Sequence, residues 1–464
     1  MARWLPRLFL ILATLVLAWA IPAAPALAEE VPPLDARFCV TPPYDRLCAT
    51  LPYDQTDFDR HFVYMILVKG AQDPFDMFSW QAFVALNWPA DASGSPRAAA
   101  IGQVPAAARV WQGFQRRDSV IGPDQASTAC GAAALPGGPS GALLVDELEQ
   151  ADGGVLIDQA RNFVVYDTRM NAVAADYIRS AGLDTRAGQQ AFGADKAVAF
   201  PKGRLPDAGA TLPGAAPTVM IKTSWRLLAD PAEEARFLTV DGVVHVPAAR
   251  SESGKDSCLP ARLGLVGMHI VMRTHSGNGD EWIWSTFEHV DNVPLAANAR
   301  AVNSIYAEEL FPGGCQAPAA PPRQSYSFFD PDCPSCRTNS SAEGDWSWAA
   351  APPYAQIAGQ PARRGSQLVR CWKIFESTAA VNRRWQRRLA GTVWANYMLI
   401  STQWRGADKS PLFEHGEVPR FLTNTTMESF GQSDPNGTCL GCHAEATTAA
   451  GNSANFIFSL RNAR

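Results

Sequence analysis

Cys439-Leu440-Gly441-Cys442-His443 is the most chemically pointed string in the chain. Two thiols three positions apart can add to the two vinyl groups on one edge of a porphyrin, and the next residue can offer an imidazole to the iron. This is the spacing of covalent c-type haem attachment: thioethers at Cys439 and Cys442, and a proximal iron ligand at His443. With 10 Cys and 7 His in 464 residues, a chance match is expected roughly 0.003 times. The competing reading is a disulfide or zinc pair that happens to precede a histidine.

A second axial ligand must come from upstream, because no methionine follows His443. The candidates, in the order the sequence favours them, are His289, His269 and Met427; a five-coordinate iron with an open site is the alternative. His269 and His289 sit in the two strongest strand-like runs, Leu263–Thr274 and Glu281–Val290, where a side chain is held rigidly. Their relative facing depends on register, because one residue of slip turns every side chain over. If Thr274 pairs with Glu281, His269 opposes Thr286 and His289 points to the other face. If His275 pairs with Glu281, the two histidines share a face. Glu288, His289, Asp291 and Asn292, clustered after Trp282 and Trp284, could move protons beside a haem or serve only as a buried polar network. Lys222, Trp225 and Arg226, or the arginines at 383, 384, 387 and 388, could neutralise propionates. The latter set also fits a solvated helix face.

Covalent haem of this kind is attached outside the cytoplasm, so the start of the chain matters. Arg3 and Arg7 flank an apolar run from Leu8 to Ala20, followed by Ala26-Leu27-Ala28. That is the layout of a secretory signal peptide over residues 1–28, too short for a comfortable membrane span. Eight further cysteines suggest up to four disulfides in an oxidising compartment. Cys39 with Cys48 would close a short loop. Cys333-Pro334-Ser335-Cys336 has redox-pair spacing but lies among Pro, Asp and Ser, which favours a structural disulfide. The net charge of −5 becomes more acidic once Arg3 and Arg7 leave, which argues against a nucleic-acid role.

The elements that would position the motif are mostly strands. Helical spacing is expected over 57–69, from Asp73 to before Pro89, near 172–180 and over 377–389. Strands are expected at 219–228, weakly at 236–246, in the two strong runs and at 394–404, with a hairpin over 155–166. The fold class expected is α+β: a mainly antiparallel sheet body over 29–310 with several short helices and long loops. Residues 311–464 would add a Pro-rich excursion, a helix, a strand and a C-terminal segment that binds haem c and packs on the body.

Several segments resemble bacterial exported proteins of a cytochrome c family with a single C-terminal haem motif. The strings are FDMFSWQAFVALNWP (75–89), VLIDQ (155–159), LGLVGMHIV (263–271), WIWSTFEHVDNVP (282–294) and FLTNTTMESFGQ (421–432), with CLGCH. The resemblance implies one covalent haem c at Cys439, Cys442 and His443, and one integral upstream body. The functions weighed are a periplasmic electron carrier, a haem-c-dependent oxidoreductase acting on a small molecule, and a haem sensor. The partner would be a redox protein or a small molecule, with no stable membrane span after leader cleavage.

Overall fold

A run of Leu, Val, Met and Ile over residues 263–272 lies inside the longest strand among the described residues, β6, Ser257–Arg273. Branched and long apolar side chains suit a pleated surface buried on both faces. The computed structural model describes residues 47–52, 72–97, 100–103, 107–122, 125–131, 143–151, 153–193, 196–203, 215–274, 282–301, 314–318, 325–342, 344–404, 423–434 and 438–464. Along one edge of β6 runs β4, Val219–Leu227, antiparallel. The other edge is shared: β5, Thr239–Val246, pairs with Ser257–Gly264, and β7, Trp282–His289, pairs with Gly267–Arg273. Beyond β4 lie β3, Val165–Met170, and β1, Gln115–Arg116. Beyond β5 lies β2, Leu143–Val145, in parallel pairing, and beyond β7 lies β13, Tyr397–Gln403, antiparallel. The short strands β8, Leu295–Ala301, and β12, Arg370–Lys373, form a parallel pair. β9, Trp346–Trp348, β10, Ala355–Ile357, and β11, Gln360–Pro361, form a small separate sheet.

This corrects the α+β expectation. The architecture is β-rich and built on one curled, eight-stranded, half-barrel sheet. Among the described residues only α1, Gln72–Leu86, and α3, Glu376–Arg388, exceed ten residues. The expectation also made haem binding part of the fold. The C-terminal segment's placement is instead accounted for by its own hydrogen bonds and packing, given below.

The two faces of the sheet carry different cargo. All residues of α1 after Gln72 are buried, and its polar members are hydrogen-bonded: Asp76 accepts from Thr378 Oγ1, and Gln81 Nε2 donates to Thr50 O. Ser79 Oγ lies 2.7 Å from Ser285 Oγ, and Trp80 meets Phe287 edge-on with ring centroids 5.1 Å apart. So α1 covers the odd-numbered side of β7. α3 lies on α1: Trp80 stacks on Trp385 and donates to Asn382 Oδ1 at 2.8 Å. Its Arg383, Arg387 and Arg388 are exposed, the solvated helix face. A further helix, α2, Ala172–Ser180, starts at Asn171, whose side chain accepts from Ala174 N.

The opposite, even-numbered side of β7 receives residues 423–431. Asn424 Nδ2 donates to Thr286 Oγ1 (2.9 Å) and Phe287 O (3.1 Å). Thr426 Oγ1 lies 2.6 Å from Ser224 Oγ on β4. Thr425 N and Oγ1 both donate to Glu288, a buried carboxylate that also pairs with buried Arg370. Gly267 makes this approach possible. A Cβ there would collide with Thr426 Oγ1 and reach 2.6 Å from Ser224 Oγ. We expect Gly267→Ala to cost about 1–3 kcal/mol, read as a lower denaturant midpoint; an unchanged midpoint would show that the segment is not seated there.

Disulfides join Cys130–Cys258, Cys315–Cys371 and Cys333–Cys336, and Cys48 is also disulfide-bonded. Cys333–Cys336 closes a turn with Cys336 N donating to Cys333 O. Such bonds are compatible with export. Among the described residues no helix is long and apolar enough to cross a membrane. The Pro-rich excursion is bound into the body: Trp348 and Phe328 are core residues, and Ser366 N donates to Ile157 O. The predicted leader, the helix over 57–69, Cys39 and the turn at 275–280 lie outside the described residues.

Candidate functional site

The motif forms the short helix α4, Cys439–Ala444. Thr438 caps it, its Oγ1 accepting from Gly441 N at 2.9 Å. Leu440 is buried, and its N–H donates to Gln403 Oε1 of β13 at 2.6 Å, which pins the helix to the sheet. Cys439 is half-buried and Cys442 is exposed, both outside the disulfides. His443 Nδ1 lies 2.7 Å from Phe456 O. A carbonyl only accepts, so Nδ1 carries the proton and Nε2 keeps its lone pair. That is the orientation a metal-ligating histidine takes from its outer partner. The carbonyl is aimed by a strained turn, with Asn455 at φ 51° and Phe456 at φ 70°; an aromatic residue in the left-handed region is uncommon and needs support from its surroundings. The His443 ring packs on Trp284 (4.1 Å) and Phe458 (5.0 Å). Although part of its surface faces the cavity described next, its packing lowers its pKa to about 4 by desolvation, so the ring is neutral at pH 7.

α4 borders a cavity of about 1040 Å³, at the top of the ~300–1,000 Å³ range of small-molecule and cofactor sites. Met220, Ile221, Val271, Trp284, Ile457 and Phe458 supply apolar walls. His269 lines the cavity as well. The register decides this: Arg273 pairs with Trp282 and His269 with Thr286, so His269 shares a face with Val271 and Trp284 and looks toward α4. His269 Nε2 is buried and has no hydrogen-bond partner; Glu428 Oε2 stands 3.5 Å away. Burial first, then repulsion from Lys222 and His443, lowers the His269 pKa to about 3. The ring is therefore neutral at pH 7, and its approach to Glu428 is not an ion pair. An orphaned imidazole nitrogen in a protein interior costs about 1–3 kcal/mol, so something at this position must repay it.

Of the three distal candidates drawn from sequence, only His269 lines the cavity. His289 Nε2 donates to Arg236 O (2.9 Å) and its Nδ1 accepts from Asp291 N (3.1 Å). Both nitrogens are used, the ring stacks on Phe237 at 4.1 Å, and burial lowers its pKa to about 4. It faces α1's side of the sheet, away from the cavity lining, so it is a core histidine. Met427 is fully buried among Leu156, Val164 and Val266 and does not line the cavity. Of the cations proposed for propionates, Lys222 lines the cavity. Arg226 is bound by Asp158 (3.0 Å) and Ser327 (3.1 Å), and Trp225 belongs to the α1 core. Arg117 and Arg461 line the cavity too; as single arginines in unpatterned sequence they carry no signal of it. His61, His275 and His415 lie outside the described residues.

No family model, curated protein or solved structure matches this chain. What the cavity can hold follows from its own side chains. Among the described residues no group of three or more His, Cys, Asp or Glu converges as a metal-ion site. A flat apolar cofactor anchored by two thiols suits the lining better. It would need a neutral imidazole from the anchoring helix, apolar walls and cations at its edge, and His443, Trp284, Val271, Lys222 and Arg461 supply these.

Proposed function

We propose that this is an exported monohaem c-type cytochrome that relays electrons. Cys439 and Cys442 would hold the porphyrin covalently, His443 would be the proximal ligand, and His269 would be the distal one. The observation that carries this is one cavity bordered by the Cys-x-x-Cys-His helix and by a buried histidine with no hydrogen-bond partner. When bound, haem supplies a one-electron ferric–ferrous couple whose potential follows its axial ligands and burial. The chain's own part is positional. Phe456 O fixes the His443 tautomer, Trp284 and Phe458 hold the ring, and β6 holds His269 rigidly. Lys222 and Arg461 are the cavity-lining cations that would meet propionates, Arg117 being engaged by Asp118 and Glu147. The segment resemblance to exported cytochrome c family proteins agrees with this reading.

Glu428 favours a second reading, a haem-c-dependent oxidoreductase acting on a small molecule. A carboxylate 3.5 Å from His269 Nε2 is placed to exchange a proton with it, and His269 would then serve substrate rather than iron. The deciding experiment uses protein matured with its export and haem-attachment machinery. We expect a mass increase of one porphyrin per chain, a c-type pyridine haemochrome, and a low-spin ferrous spectrum unmoved by carbon monoxide. A high-spin spectrum that shifts with carbon monoxide would select the oxidoreductase. Absence of both mass increase and haemochrome would sink both readings.

A further inference from the structure

Beside the first cavity lies a second, of about 580 Å³, and the two share Arg117, Arg461 and Asn462. Its lining is mostly charged. Arg186, Arg461 and Arg464 line it, all three exposed, and none of their guanidinium groups makes an ion pair or side-chain hydrogen bond among the described residues. Arg117 also lines it but is engaged by Asp118 (2.6 Å) and Glu147 (3.0 Å). The acidic side consists of Asp118 and Asp146, both on Arg116, Asp146 at 2.9 Å. We propose that this second cavity is a binding site for a small oxyanion or carboxylate, seated by Arg186, Arg461 and Arg464 at the edge of the first cavity. Guanidinium forks match the paired oxygens of such anions. The site goes beyond the haem reading and does not require it, since every residue named is on the chain itself.

The charge balance agrees. Desolvation and the neighbouring Asp118 carboxyl push Asp146 up to about 8, so near pH 7 the acidic pair carries one negative charge rather than two. His245 from β5, Glu147 and Arg116 are the other titratable or charged groups facing the pair. Ionising Asp146 adds a negative charge to the lining, so anion affinity falls as pH rises through about 8.

The test titrates the full, matured chain with inorganic phosphate and, separately, with succinate, by calorimetry at low ionic strength, where surface electrostatics are least screened. We expect saturable binding of at least one anion, and the one preferred names the ligand class. Arg461→Gln and Arg186→Gln should each weaken it about tenfold, the loss of one charged hydrogen bond, while Arg383→Gln on the solvated face of α3 leaves it unchanged. Succinate, fully ionised from ~pH 7 upward, should bind more weakly at ~pH 9 than at ~pH 7. No saturable binding, equal weakening by Arg383→Gln, or binding only after removal of any covalent porphyrin would each overturn the proposal; the last would mean that propionates fill the site. Haem content is read separately by pyridine haemochrome, so failure here and failure of the haem reading are distinguishable.

Discussion

Replacing Cys439 and Cys442 together by serine is expected to abolish covalent porphyrin attachment completely while leaving the sheet folded. A serine hydroxyl does not add to a vinyl group as a thiol does, so the mass increase and acid-stable colour vanish. The fold should survive because Cys→Ser is nearly isosteric and neither cysteine is in a disulfide. Cys442 is exposed and Cys439 half-buried, both outside the disulfides. α4 is held by the Thr438 cap, the Leu440 side chain and the Leu440 N–Gln403 bond, none of which the substitutions touch. What the variant loses is the stabilisation that a tightly bound ligand lends the native state, so its melting temperature should fall to that of the unmatured chain. Any porphyrin retained through His443 and the apolar walls would leave on acid–acetone extraction. If the double variant kept an acid-stable porphyrin, attachment at these thiols would be refuted. If it failed to fold even without maturation, the thiols would be structural.

The strands that carry the site were legible because their composition leaves little choice. The runs 219–228, 263–274 and 281–290 appear as β4, the second half of β6 and β7, within a residue or two at each end they share. Helices 172–180 and 377–389 are equally near. Strand 394–404 starts later, at Tyr397, because Val393–Asn396 forms a 3-10 turn. What periodicity does not carry is which strand lies beside which. The first half of β6, the parallel β2–β5 pair and the curl that makes the body β-rich come from long-range pairing, and local pattern is silent about them.

The site divides the same way. Spacing alone names Cys439, Cys442 and His443, because the chemistry is local to five residues. The facing histidine is a register problem, and register is fixed by tertiary packing. Phe287 and Ser285 must meet α1, so Thr286 and Glu288 must meet residues 424–426, and His269 follows Thr286 to that side. His289 read as the better ligand because acid and amide residues surround it. Those neighbours make it a hydrogen-bonded core residue instead: Asp291 contributes its backbone N–H to His289 Nδ1 and its carboxylate to Arg236.

His269→Ala and His289→Ala should therefore separate cleanly. In the matured protein His269→Ala removes the imidazole facing α4 and opens a coordination position. The ferrous spectrum should pass from low-spin to high-spin, and carbon monoxide should then bind. Added imidazole should restore the low-spin bands, since the vacated space is open to the cavity. Stability of the unmatured chain should change little, because removing a nitrogen with no hydrogen-bond partner offsets the packing lost with the buried ring. His289→Ala should do the opposite. It strands Asp291 N, while Arg236 O keeps its bond from Asn396 Nδ2, and it empties a core position between Phe237 and Tyr397, costing about 1–3 kcal/mol for the polar group left unpaired besides the lost packing, with no change in the ferrous spectrum. An unaltered spectrum in His269→Ala, or a spin change in His289→Ala, would remove His269 as the distal ligand. A parent protein already high-spin, whose carbon monoxide affinity shifts on Glu428→Gln, would instead make His269 and Glu428 a proton-transfer pair beside an open iron.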